Sequence, residues 1–247
     1  MLANFITLSQ QAFLILRRDQ IFLAGVILSL VMTMMARLIF SWTLVDSYKV
    51  LYDILAFSLS FFGNMIAIFW GTNCLGTEQK SHHTVGLSGP VSRSTWLLSQ
   101  YCGLFFALLG LLAINALIWQ LSFFISGAGL LSLNHFMTFP LHFLSWAVIS
   151  AVSTCFACFC SRSTSLFCAF CIWVLGLIAP LLPLPQDDPV LGVVLKFVRL
   201  IWNLQYFNVV PGSEFSSETL MLIVAYAFSL IACFLFAACQ IFSRRDL

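Results

Sequence analysis

The chain has 247 residues, of which 61% are hydrophobic and 8% charged, with 26 Phe and a mean hydropathy of +1.02. A soluble domain of this length needs far more charge to solvate its surface, so nearly all the apolar surface must face lipid or neighbouring spans. The formal net charge of +2 gives no strong basic or acidic balance, and no nucleic-acid partner is expected.

Residues 1–20 come first. Leu2, Phe5, Ile6, Phe13, Leu14 and Leu16 are interleaved with Asn4, Ser9, Gln10 and Gln11, and Arg17, Arg18 and Asp19 close the segment. This mixture is too polar to cross a bilayer and predicts a helix lying in the interface. It lacks a basic n-region ahead of a short apolar core and a small-residue cleavage site, so a cleavable signal peptide is not expected.

Residues 21–247 then divide into apolar runs. A helix needs roughly 20 apolar residues to cross about 30 Å of hydrocarbon. Six spans are predicted, at 21–43, 52–70, 96–125, 136–160, 164–184 and 219–242. The fold class expected is all-α and polytopic. The third and fourth runs are long enough to tilt or to extend past the bilayer.

Between the second and third spans lies the one long polar stretch, 71–95. Within it a short amphipathic helix is expected over about Thr77 to Leu87, with Pro90 stopping it and redirecting the chain into the third span. The other irregular region is the outer segment 185–217. There Val190 to Trp202 is apolar but too short to span, and Lys196 and Arg199, three apart, share one face. A re-entrant or interfacial helix is expected.

Charge placement orients the chain. With the N-terminus inside, the inner segments carry Arg17, Arg18, Lys80, Arg93, Arg162, Arg244 and Arg245, and the outer ones Lys49, Lys196, Arg199 and the boundary residue Arg37. That bias places both termini in the cytoplasm. Asp46, Asp187 and Asp188 then fall outside, and all nine cysteines lie in spans or near the inner side, so no disulfide framework is implied.

Several motifs carry the residue types of chemical sites. Cys155-x-x-Cys158 and Cys168-x-x-Cys171 have zinc-like spacing, but each pair sits in Phe-rich helical sequence, where cysteine serves as a small packing residue. His82 and His83 follow Glu78 without the H-E-x-x-H spacing of a catalytic zinc site. His135 and His142, seven apart, are expected to be solvated or interfacial. The spans are almost free of ionisable groups, which argues against a carrier driven by an ion gradient. The sequence contains no phosphate-binding G-x-x-x-x-G-K-[ST] loop and no G-x-S-x-G elbow, so neither catalysis nor a cofactor or metal is expected.

Four features carry a family resemblance: Glu78 with Leu87-Ser-Gly-Pro-Val-Ser-Arg93 after the second span, Asn203-Leu-Gln-Tyr-Phe-Asn208 before the last, the ending Phe242-Ser-Arg-Arg-Asp-Leu247, and the polar N-terminal helix. With these the chain resembles, over its whole length, permease subunits of ATP-binding-cassette transporters of the type-2 exporter class. It departs from them in having the single acid Glu78 where two are common, and His82-His83 where Gly-Thr is usual. The resemblance implies a bacterial inner-membrane protein, embedded in membrane lipid. Its implied partners are two copies of an ATPase subunit and a second permease, identical or different.

It also implies that 71–95 is the ATPase-coupling loop. Leu87 and Val91 would be its buried anchor, Glu78, Lys80 and Arg93 its polar rim, and Pro90 its stop, with His82 in the same loop. Arg17 and Arg18 would close the interfacial helix, and Lys196, Arg199 and Asn203 would belong to an outer hairpin before the last span. The alternative reading of the same composition is a membrane scaffold or assembly protein, or an intramembrane enzyme.

Overall fold

A computed structural model describes residues 2–42, 47–74, 92–127, 129, 131, 133–182, 193, 195–196, 198–199, 201–207 and 217–244. Among these, all regular structure is helical. Seven helices follow in order: α1 (Leu2–Arg18), α2 (Gln20–Trp42), α3 (Ser47–Asn73), α4 (Arg93–Ile125), α5 (Thr138–Ala157), α6 (Arg162–Ile178) and α7 (Ser217–Arg244). A single helical turn at Leu133–Phe136 precedes α5, and a 3₁₀ turn at Leu204–Phe207 lies between α6 and α7.

Five helices, α2, α3, α4, α5 and α7, are long and apolar enough to cross a membrane. The expected fifth span over 164–184 is shorter. Its helix α6 has 17 residues, which at 1.5 Å each is about 26 Å. The apolar run continues past it, but Pro180 has no N–H to donate to the Gly176 carbonyl, so the helical ladder stops there. Leu181 N instead donates to the Ile178 carbonyl at 2.8 Å in a tighter turn.

Local chemistry sets the other boundaries. Asp19 alone separates α1 from α2, and its carboxylate accepts from Ile21 N at 3.2 Å, as an N-cap does. Ser92 caps α4 by accepting from Thr95 N at 3.2 Å, and Ser161 caps α6 by accepting from Thr164 N at 3.4 Å.

The central helix is α5, buried on nearly all sides by α3, α4, α6 and α7. Its closest partner is α3, where Gly63, Ala67 and Gly71 recur at every fourth position and present a groove of small residues. In lipid no hydrophobic force drives helices together, so close backbone approach over small residues carries the packing. A Cβ on Gly63 would come within 2.0 Å of the Trp146 ring, and one on Gly71 within 2.7 Å of the Ser150 carbonyl oxygen.

Hydrogen bonds between helices reinforce this core. Ser145 donates to Asn64 Oδ1 at 3.1 Å, Tyr101 OH donates to the Ala147 carbonyl at 2.8 Å, and Ser29 Oγ donates to Asn115 Oδ1. Tyr52 OH is bonded to Thr138 Oγ1. By contrast α2 turns most of its surface outward, with Leu23, Ile27, Met34 and Leu38 exposed.

Candidate functional site at the loop-bearing end of the bundle

The expected coupling residues Glu78, Lys80, His82, Leu87, Pro90 and Val91 lie outside the described residues. The structure does define the end of the bundle to which that loop returns. Arg93 is the first residue of α4 and is half-buried. One turn later Trp96 and Leu97 enter a compact apolar cluster with Cys155, Ala157 and Cys158 from the end of α5 and with Ala238 and Phe242 from the end of α7. Leu8 of α1 packs against the same cluster. The Trp96 and Phe242 rings stack with centroids 5.7 Å apart. Four helices are therefore joined within a few residues of the point where the 75–91 stretch re-enters the bundle.

The helix α1 is held to α4 by close backbone approach. At Gly103 a Cβ would meet Ala12 Cβ at 2.5 Å, the Ser9 carbonyl oxygen at 2.8 Å and Phe13 N at 2.9 Å. Ala12, 2% exposed, is the buried centre of this contact, whereas Arg17 and Arg18 are exposed in the last turn of α1.

At the opposite end, residues of the 185–217 segment cap α6. The last carbonyls of a helix lack intrahelical donors, and in hydrocarbon they must find others. Arg199 Nε donates to the Ala179 carbonyl at 2.9 Å and Gln205 Nε2 to the Leu177 carbonyl at 3.1 Å. Trp202 Nε1 donates to the Ile172 carbonyl at 2.8 Å, an approach open because Gly176 has no side chain in the way. Asn203 turns the chain, its Oδ1 accepting from Gln205 N at 3.0 Å. Tyr226 of α7 locks the turn by donating to the Ile201 carbonyl at 2.7 Å and accepting from Asn203 N at 3.1 Å.

Lys196 and Arg199, expected on one face, differ in role: Lys196 is exposed, whereas Arg199 is half-buried and engaged. Arg199→Ala removes a charge-assisted donor and is expected to lower stability by about 1.5–3 kcal/mol, while Lys196→Ala should stay within about 0.5 kcal/mol of the wild type. Thermal unfolding of both variants in detergent checks this. Equal melting temperatures for the two would contradict the capping role.

The cysteine pairs are not drawn together. Cys158 is buried and donates to the Thr154 carbonyl at 3.3 Å, while Cys171 is exposed. Among the described residues no group of three or more His, Cys, Asp or Glu side chains is placed to hold a metal ion. Replacing Cys155, Cys158, Cys168 and Cys171 together by Ala or Ser is expected to leave the metal content of the purified protein unchanged. Stoichiometric zinc in the wild type that disappears in the variant would reverse this reading.

Of the two described histidines, only His142 departs from expectation. His135 packs edge-on against Tyr52 with ring centroids 4.8 Å apart. His142 is 3% exposed, and its Nδ1 has no hydrogen-bond partner. The sequence places it near a span end, where solvation is the ordinary outcome, but α5 is enclosed by its neighbours even in its second turn. Among the described residues no Asp, Glu, Lys or Arg is buried.

Fold and composition together define an all-α membrane-embedded protein with several helices able to span. No family model matches this sequence, and no curated protein matches it.

Proposed function

We propose that the chain is the permease subunit of an ATP-driven exporter of the type-2 ATP-binding-cassette class, working in a bacterial inner membrane with a second permease and two ATPase subunits. The observation that carries this reading is the apolar junction of Trp96, Phe242, Cys158 and Leu8, which ties α1, α4, α5 and α7 together where the 71–95 stretch returns. The sequence elements at Glu78, at 87–93, at 203–208 and at 242–247 agree with it. So does the scarcity of ionisable groups in the spans, which leaves energy to another polypeptide.

In this reading the ATPase subunits close on ATP and press on the 71–95 loop and on α1. Trp96 passes the displacement to α5 and α7 through side-chain contact. The α3–α5 pair, locked by Gly63 and Gly71, moves as one body. The helices then rock to open a path outward, α6 counts as the fifth of six spans, and the segment capping it borders the exit.

The orientation is testable directly. In a background lacking the native cysteines, a cysteine replacing Ser47 or Gln186 is expected to react with an impermeant thiol reagent added outside intact cells, and one replacing Ser81 is not. The reverse labelling pattern would invert the topology and remove the loop from the cytoplasm. The purified chain alone is expected to bind no ATP, and saturable binding would contradict a division of labour between two polypeptides.

A further inference from the structure

Between α1 and α4 lies a groove of about 610 Å³ that the transporter reading does not use. Its walls are Phe5, Ile6 and Phe13 from α1 and Phe106 and Leu109 from α4, with Gly110 leaving one stretch without a side chain. Ile6, Phe106 and Leu109 remain about half exposed there. The α4 lining runs from Cys102 to Gly110, about 12 Å of helix rise. The space is open to its surroundings and too apolar to order water. Ser9, the buried polar residue on its wall, already donates to the Phe5 carbonyl at 2.9 Å and asks for no partner. An extended hydrocarbon chain fits this shape and chemistry.

The polar end of the occupant is set by the helix register. Ile6, Gln10, Phe13 and Arg17 follow one another at four, three and four residues, so they form one stripe along α1. Arg17 stands one turn beyond Phe13 on the groove side and is exposed, with Arg18 beside it. Asp19 is turned onto the first turn of α2, where its carboxylate accepts from Ile21 N. A guanidinium matches a phosphate with two parallel donors, and basic residues on interfacial helices attract anionic lipid.

We infer that this groove seats one acyl chain of an anionic phospholipid, with Arg17 binding its phosphate and Arg18 adding to the local positive charge. The lipid completes the contact of α1 with α4 beyond the close approach at Gly103. The inference does not rest on the transporter reading and stands or falls separately from it.

The test uses delipidated full-length protein in detergent, titrated with dioleoylphosphatidylglycerol or dioleoylphosphatidylcholine and followed by native mass spectrometry. The wild type is expected to retain the anionic lipid roughly tenfold more tightly. Arg17→Gln with Arg18→Gln should bring the two lipids to equal affinity. Gly110→Phe, at a position where a Cβ meets nothing within 4 Å, places a ring in the groove and should lose both lipids. If Gly110→Phe does not assemble, the surface arginine variant still decides the question. Equal affinity of the wild type for the two lipids, unchanged binding in the arginine variant, displacement by soluble glycerol phosphate alone, or a lipid-free dimer occupying this face would each overturn the assignment.

Discussion

Gly63→Ala is expected to destabilise the bundle by about 3 kcal/mol or more, the upper range for forcing extra volume into a packed core. The added Cβ would stand 2.0 Å from the Trp146 ring, and that ring is fully buried at the centre of the fold. It cannot swing aside without displacing α5, on which α3, α4, α6 and α7 all rest. Gly71→Ala should act in the same direction, because there the obstacle is the Ser150 backbone. Gly110→Ala is the control: its Cβ meets nothing within 4 Å, and alanine favours the helix by roughly 0.5–1 kcal/mol. Fluorescence-detected melting of the three variants in one detergent ranks them. A Gly63→Ala protein that melts with the wild type would mean that α3 and α5 do not pack as described.

If the chain is the permease proposed above, Leu87→Asp is expected to abolish association with an ATPase subunit while leaving insertion unchanged. The reason is the general penalty for placing an unpaired charge in the buried centre of an interface, on the order of several kcal/mol or more than a hundredfold in affinity. Glu78→Ala, at the rim, should lose only about 1 kcal/mol. Trp96→Ala offers a structural counterpart: it empties the centre of the junction beside Phe242 and should cost about 3–5 kcal/mol in stability. Insertion level, melting temperature and ATPase co-purification, measured together, separate an effect on the interface from an effect on the fold. Full ATPase binding by Leu87→Asp would remove the 71–95 loop from coupling.

Much of the fold was legible because hydropathy and capping chemistry are local. The bounds of α2, α4 and α7 fall within a few residues of the expected spans, and Asp19 ends the N-terminal helix where the charged triplet stands. The fifth apolar run yields a helix shorter than its expected bounds, for an identifiable reason. Leucines continue past Pro180, so composition extends the run where the backbone cannot follow. The repeat of Gly63, Ala67 and Gly71 was available in the sequence, but its meaning depends on which helix lies opposite, and that is a tertiary fact. The same holds for His142, whose burial follows from the central position of α5, and for Arg199, whose partner carbonyl lies 20 residues away at Ala179.

The candidate site was legible only in outline. Trp96 and Phe242 are far apart in sequence, and nothing local announces that they stack. Leu87 and Val91 lie outside the described residues, and in the proposed reading they meet a surface of another polypeptide.

The most direct measurement of the central claim is quantitative affinity purification of the tagged chain from its native membrane in mild detergent, with subunit counting and an ATPase assay on the eluate. The permease reading requires an ATPase subunit at one copy per permease, ATP hydrolysis in the complex, and loss of both on Leu87→Asp. A chain recovered intact and correctly folded with no ATPase, or one that hydrolyses ATP by itself, would contradict it.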